Sequence, residues 1–292
     1  MHFRPTWILL LTMLGCGGRT STPAVTESTF VTSFDAIRLA VQPLAGDLTV
    51  RTLLPPGTSP HAYSPKPSEA RLMQEAALVI HAHADIDGWV ADLAQGKAYP
   101  MFSGEDAQGS EEMAQPEHGE DRHQDAHYWT DPVAVSRSLQ PLATALCSAD
   151  PAECPAIRRR ATVLRARVDS LHQHLEQLSA ERESACIISS EPFADRMLER
   201  YGIPHVGPLR ISADVPPTPT RMTRIIQEAI DVGCRRMLVQ SAFENRMEHR
   251  LSAEQGWEIV EVDPLGAAAP DLLTYLSDLF DALTLSPVSD QP

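Results

Sequence analysis

The sequence predicts an α/β protein of two similar lobes joined by one long rigid helix. Three observations predict it. From Phe30 to about residue 103, short apolar runs alternate with helix-like stretches. From Pro155 to Glu183 one sustained stripe replaces that alternation. Its apolar residues are Ile157, Ala161, Leu164, Val168, Leu171, Leu175 and Leu178, in steps of four and three. At 1.5 Å per residue such a helix is roughly 40 Å long. After it the strand and helix alternation resumes. Alternating units on both sides of a single helix imply two layered lobes with the helix as strut. The expected organisation is an N-terminal lobe over 30–152, a linking helix over 153–183 and a C-terminal lobe over 184–292.

The elements follow in order. "AVQPLAGDLTVRTLLP" reads as strand material leading into the loop "PPGTSPHAYSPKP". Proline fixes φ and removes a backbone donor, so this loop is stiff, and it carries His61 and Tyr63. "PSEARLMQEA" reads as a helix with Ser68 as its N-cap. "ALVIHAHA" is a buried strand, "IDGWVADLAQG" a short helix ending on Gly96, and "YPMFSG" another short strand. Residues 104–126 carry eight acids and two histidines, His118 and His123, with almost no apolar side chains, and read as a long loop. Helix returns at "DPVAVSRSLQPLATAL". Beyond the linking helix, "ACIISSEP", "HVGPL", "RRMLVQS" and "EIVEVDP" read as strands. "FADRMLERYG", "PTRMTRIIQEAIDVG", "ENRMEHRLSAEQG" and "APDLLTYLSDLFDAL" read as helices.

Composition narrows the function classes. The chain has 292 residues, 43% of them hydrophobic, and a formal charge of −15. No basic stripe is present, which argues against nucleic acid as a partner. An acidic surface serves solubility first and attraction of cations second. The N-terminus "MHFRPTWILLLTMLGCGG" has Arg4, an apolar run from Trp7 to Leu14, then Gly15 and Cys16. That run is too short to span a bilayer and has the length of a signal-peptide core. Residues 1–15 therefore read as a signal peptide and 16–29 as a polar tether. "MLGC" resembles a bacterial lipobox, in which Cys16 would carry lipid. The expected location is periplasmic or cell-surface, with a lipid anchor to the membrane. An oxidising compartment permits disulfides. "CSADPAEC" looks like a short loop closed by Cys147 and Cys154. Cys186 and Cys234 lie in or beside apolar strand-like runs, where a pair and two buried thiols are both compatible.

In sheets of this kind, ligands sit at the carboxyl ends of the strands. Four polar residues fall there: His61 in the proline loop, His127 in "HYWTDP", Glu191 at the end of "IISSEP" and Asp263 at the end of "EIVEVDPLG". Two imidazoles and two carboxylates, two from each lobe, could meet in the inter-lobe cleft. Such a set suits a divalent transition metal such as zinc or manganese. Pro60, Pro192 and Pro264 stand beside three of the four and would hold them on stiff backbone. His81 and His83 are candidate accessory ligands, as are His118 and His123 in the acidic loop.

These residues lie in blocks that resemble a known family, the metal-binding lipoproteins of bacterial zinc/manganese ABC importers. "PPGTSPHAYSPKPSEARLMQEAALVIHAHADIDGW" is similar to its first-ligand block and "HYWTDPVAVSRSL" to its second. "SSEPFADRMLERYG" looks like its third and "IVEVDPLG" its fourth. The resemblance runs from about Thr29 to Leu283. It implies two α/β lobes bridged by one helix, a metal held between them by His61, His127, Glu191 and Asp263, and limited hinge motion. It also implies capture of Zn²⁺, with Mn²⁺ as the alternative, for delivery to an ABC permease and its ATPase subunit. The expected state is a monomer and no catalysis is expected. Zinc-type members usually carry His at the third position, whereas Glu191 matches the manganese type; "DPLG" and the acidic loop match the zinc type. Ser64 stands where the family often has Glu. A metal-dependent hydrolase and a surface adhesin on the same fold are the competing readings. A four-ligand site leaves no open position for catalytic water, and no G-x-S-x-G or H-E-x-x-H motif occurs.

Overall fold

The computed structural model describes residues 28–103, 126–181, 185–211, 215–241 and 245–284. The expected signal peptide and the tether up to residue 27, with Cys16, lie outside the described residues, as do His118 and His123; Thr29, placed at the end of the tether, instead opens the first strand. The first sheet is parallel and four-stranded, in the order β2-β1-β3-β4. Its strands are β1 (Thr29–Thr32), β2 (Thr49–Thr52), β3 (Leu78–His81) and β4 (Ala98–Pro100). The second, also parallel, has the order β6-β5-β7-β8. Its strands are β5 (Ile187–Ser189), β6 (His205–Val206), β7 (Arg236–Gln240) and β8 (Glu258–Val262). The two orders are the same topology written twice, which is the expected pair of similar lobes. Between them run α5 (Pro132–Ala149) and the 28-residue α6 (Cys154–Glu181).

Each sheet buries both faces, as parallel sheets do. Alternation along the strands decides which face meets which core. In the first sheet Phe30 and Ile80 point into a central core, while Val31 and Val79 point into an outer cluster with Met73 and Val90. In the second, Ile187 and Leu238 join the central core, while Ile188, Met237 and Val239 join an outer cluster with Ile225 and Trp257. The central core is thus common to both lobes.

The linking helix buries the stripe that its sequence predicts, through Ile157, Ala161, Leu164, Val168 and Leu175. It is tied to both lobes. Near its start, Arg160 donates to the carbonyls of Leu44 and Ala45 at the end of α1 (Asp35–Ala45), at 3.3 and 3.4 Å. Toward its other end, Ser179 donates to the Tyr201 carbonyl, 2.5 Å away, and His172 contacts the Tyr201 hydroxyl at 3.1 Å. The last helix, α10 (Leu272–Thr284), packs on α6 and α1 as well as on β8. The end of the C-terminal half therefore closes the N-terminal lobe.

Two local readings change. Ala40 to Ala45, read as strand material, is the second half of α1, with Pro43 inside it. Proline at that point costs one helical hydrogen bond, and burial of Leu39, Ala40, Val41 and Leu44 outweighs the loss. Ser68 is not the N-cap: α2 (Pro67–Glu75) starts at Pro67, and the Lys66 N–H is taken by Glu69 Oε2 at 2.7 Å. Cys147 is bonded to Cys154, as the spacing suggested, and Cys186 to Cys234.

Candidate metal centre

The stiff loop around His61 is fixed from outside. The Trp89 indole N–H donates to the Pro60 carbonyl at 2.9 Å, and the Tyr63 ring lies 5.4 Å from Trp89. The Tyr63 hydroxyl donates to Glu69 at 2.8 Å, and burial pushes its pKa up to about 12. His127 precedes the short 3-10 turn Tyr128–Thr130, which leads into α5 with Asp131 as N-cap. These two anchored segments bring the His61 and His127 rings to 5.8 Å between centroids. Together with Ser59 they form one side of a narrow cleft; Gln240, Pro264 and Leu265 form the other. His127 is buried and also packs 5.0 Å from the Trp129 ring.

The segment after His127 is fastened to the opposite lobe. The Trp129 indole donates to the Pro264 carbonyl at 2.7 Å, which also accepts from the Tyr275 hydroxyl at 2.7 Å. Asp131 pairs with Arg200, with Nη2 to Oδ2 at 2.5 Å. Arg196 lies 3.6 Å over the Tyr128 ring. Desolvation of the buried Tyr275, and then the nearby Asp263 charge, hold its hydroxyl pKa well above the ordinary value.

Glu191 is buried and both its oxygens are engaged. Oε2 accepts from Gln240 at 2.6 Å, and Oε1 lies 3.1 Å from Arg210 Nη2. Burial raises its pKa above the ordinary carboxylate value. Arg210, Gln240 and His127 pull it down, and Glu248 pushes it up. Asp263 is turned toward its own loop: Oδ1 accepts from the Leu265 N–H at 2.9 Å and Oδ2 from the Ala267 N–H at 2.7 Å. It lines a separate hollow of about 260 Å³ between β8 and α10. Of the four residues read from the strand ends, the two histidines face one another. Glu191 is close enough for His127 to affect its charge, and Asp263 is directed elsewhere. Among the described residues, no three His, Cys, Asp or Glu side chains are grouped to hold a metal.

Of the accessory candidates, the two that lie among the described residues, His81 and His83, do not line the cleft. His81 is buried against Asp87, Nδ1 to Oδ1 at 3.1 Å, and Asp87 also accepts the amides of Ala82 and His83. His83 accepts from the Asp85 amide at the start of α3 (Ala84–Asp87). Sequence reasoning missed Gln240 and Arg210. Gln240 had a signal, since it is the polar last residue of a buried parallel strand. Arg210 had none, because its place is set by Gly207. A Cβ at Gly207 would lie 2.7 Å from the Ser189 carbonyl, and φ is +126°, so glycine lets this loop run close along β5.

Two like α/β lobes with a pair of imidazoles on one side of the cleft between them are the architecture of a solute-binding protein. The chain is a member of the ZnuA family, zinc-uptake complex component A, periplasmic, whose description matches residues 30–284. It is 22% identical over 253 residues to the zinc-binding lipoprotein AdcA of Streptococcus pneumoniae, covering 80% of this chain and 49% of that protein. It is 21% identical over 252 residues to the manganese ABC transporter substrate-binding lipoprotein PsaA of Streptococcus pneumoniae, covering 82% and 80% respectively. The chain spans about half the length of the AdcA relatives it matches. In fold it is similar to the laminin-binding protein Lmb of Streptococcus agalactiae, with a TM-score of 0.73 and 19% identity over 88% of this chain and 100% of that one.

Proposed function

We propose that this protein is the extracytoplasmic solute-binding component of a metal ABC importer. It takes up Zn²⁺, with Mn²⁺ as the alternative cargo, and presents it to a membrane permease served by an ATPase subunit. The observation that carries this reading is the His61–His127 pair at 5.8 Å, facing Gln240 across the cleft, in a chain matching the uptake family over residues 30–284. The imidazoles supply two neutral nitrogen donors. Glu191 supplies a hard oxygen once it exchanges a present partner for the ion, and Asp263 supplies another by releasing its loop amides. Cys16 holds the lipid anchor, and the protein acts as a monomer with no catalytic step. The family description favours uptake over the adhesin and hydrolase readings.

Native mass spectrometry with elemental analysis tests this, on protein prepared without tags or chelators. One divalent ion per chain is expected, lost on acidification because imidazole must be neutral to ligate. A chain that takes up neither zinc nor manganese ends the proposal.

A further inference from the structure

We propose that Arg210 is an internal competitor for the metal: its guanidinium holds Glu191 until cargo arrives, and Glu248 retains Arg210 when Glu191 is released. The inference rests on the metal-binding reading above and deepens it. The backbone of Arg210 is fixed at the end of β5, where its N–H donates to the Ser190 carbonyl at 2.8 Å. Its side chain is 14% exposed and reaches two carboxylates, Glu191 at 3.1 Å and Glu248 at 2.6 Å. Glu248, on α9 (Arg246–Gln255), is 1% exposed, and like Glu191 it does not itself line the cleft beside the histidines. A second buried carboxylate beside Glu191 needs a reason, since burying an unpaired charge costs several kcal/mol.

The arrangement supplies one. Two buried carboxylates share one cation, and Gln240 holds the second oxygen of Glu191. An arriving divalent ion must displace one of these partners. If Arg210 yields, its charge stays compensated by Glu248, so the exchange strands no buried cation. Arg210 then acts through Glu191 as a positioning residue that sets affinity.

The consequence is a pair of opposite effects. Arg210→Met removes a positive charge beside the ion and should tighten zinc and manganese binding by about tenfold or more. Glu248→Gln removes the second carboxylate charge beside Arg210, so that Glu191 holds it more tightly, and should weaken binding by a similar factor. Arg210→Lys keeps the charge and should bind less tightly than Arg210→Met. The experiment is direct titration of parent, Arg210→Met, Arg210→Lys, Glu248→Gln and His127→Ala with zinc and with manganese, at a pH above the imidazole range. Opposite shifts in Arg210→Met and Glu248→Gln support the inference. Equal or same-sign shifts, or an unchanged Glu248→Gln, overturn it while parent binding and its loss in His127→Ala keep the metal reading intact. A parent that binds neither ion overturns both. If Arg210→Met does not fold, the isosteric Glu248→Gln decides: tighter or unchanged binding refutes the competitor role.

Discussion

The two halves of the cleft are built differently. The N-terminal half offers imidazoles on segments held from behind, with Trp89 on the Pro60 carbonyl and Trp129 on the Pro264 carbonyl. The C-terminal lobe holds its carboxylates already occupied, Glu191 by Gln240 and Arg210, and Asp263, turned away from the cleft, by the amides of Leu265 and Ala267. A neutral donor can wait facing its partner at little cost. A buried carboxylate cannot wait unpaired, because desolvation penalises its charged form. On the proposed metal-binding reading, one half would stand preformed while the other would exchange partners to bind; the histidines would then set where an ion lands, and the carboxylates what its arrival displaces.

The largest expected effect breaks the preformed half. His127→Ala and His61→Ala should each weaken zinc binding by more than the roughly 10–100-fold that loss of an outer-shell partner costs. Isothermal titration checks this, and parent-like affinity in both variants would place the metal elsewhere. The next effect concerns the exchanging half. Glu191→His trades a hard oxygen for a borderline nitrogen, so the zinc-to-manganese affinity ratio should rise in a competition titration. A level or falling ratio would remove Glu191 from the ligand set.

Much of this architecture was legible in the sequence. The strand and helix alternation and the stripe from Ile157 to Leu178 report local periodicity, which one chain displays openly. His61 and His127 were legible as loop residues because prolines surround the first and a turn into α5 directly follows the second. The engagement of the carboxylates was not. Gln240 meets Glu191 across 49 positions of chain, and Arg210 arrives by a loop whose path depends on Gly207. Such contacts are set by tertiary packing, and no local pattern encodes them. The second half of α1 was misread for the opposite reason. Pro43 is a strong local signal, and burial overrode it.

Asp263 offers a way to sharpen the comparison through stability. Its carboxylate holds the loop that carries the Pro264 carbonyl, the acceptor for both Trp129 and Tyr275. Asp263→Ala removes two amide bonds to a charged acceptor, worth about 1.5–3 kcal/mol each before relaxation. The metal-free protein should therefore melt lower, and added zinc should restore less stability than it does to the parent. A variant with unchanged metal-free melting would show that the loop amides do not depend on Asp263.

The smallest effect separates the two kinds of carboxylate by the sign of their pH dependence. Asp271 caps α10, accepting from the Leu273 and Thr274 amides at 2.9 and 3.0 Å. The Thr274 amide bond is the main cause that holds its pKa below the ordinary aspartate value. A lowered folded-state pKa contributes stability that is present above the ordinary aspartate range and lost as pH falls through the lowered value. Glu191 runs the other way. Burial raises its pKa, so its folded form binds a proton where the unfolded chain does not, and its contribution falls as pH rises through that window. Asp271→Ala should cost about 1 kcal/mol near neutral pH, the usual worth of an N-cap. That difference from the parent should shrink as pH falls through the lowered Asp271 pKa. Glu191→Gln should instead narrow its stability deficit, or turn it into a gain, as pH rises above the ordinary glutamate range. Melting curves of both metal-free variants across that range check the pair. The same pH trend in both would mean that the two carboxylates sit in the same electrostatic state, and that the exchanging half of the cleft carries no desolvation penalty.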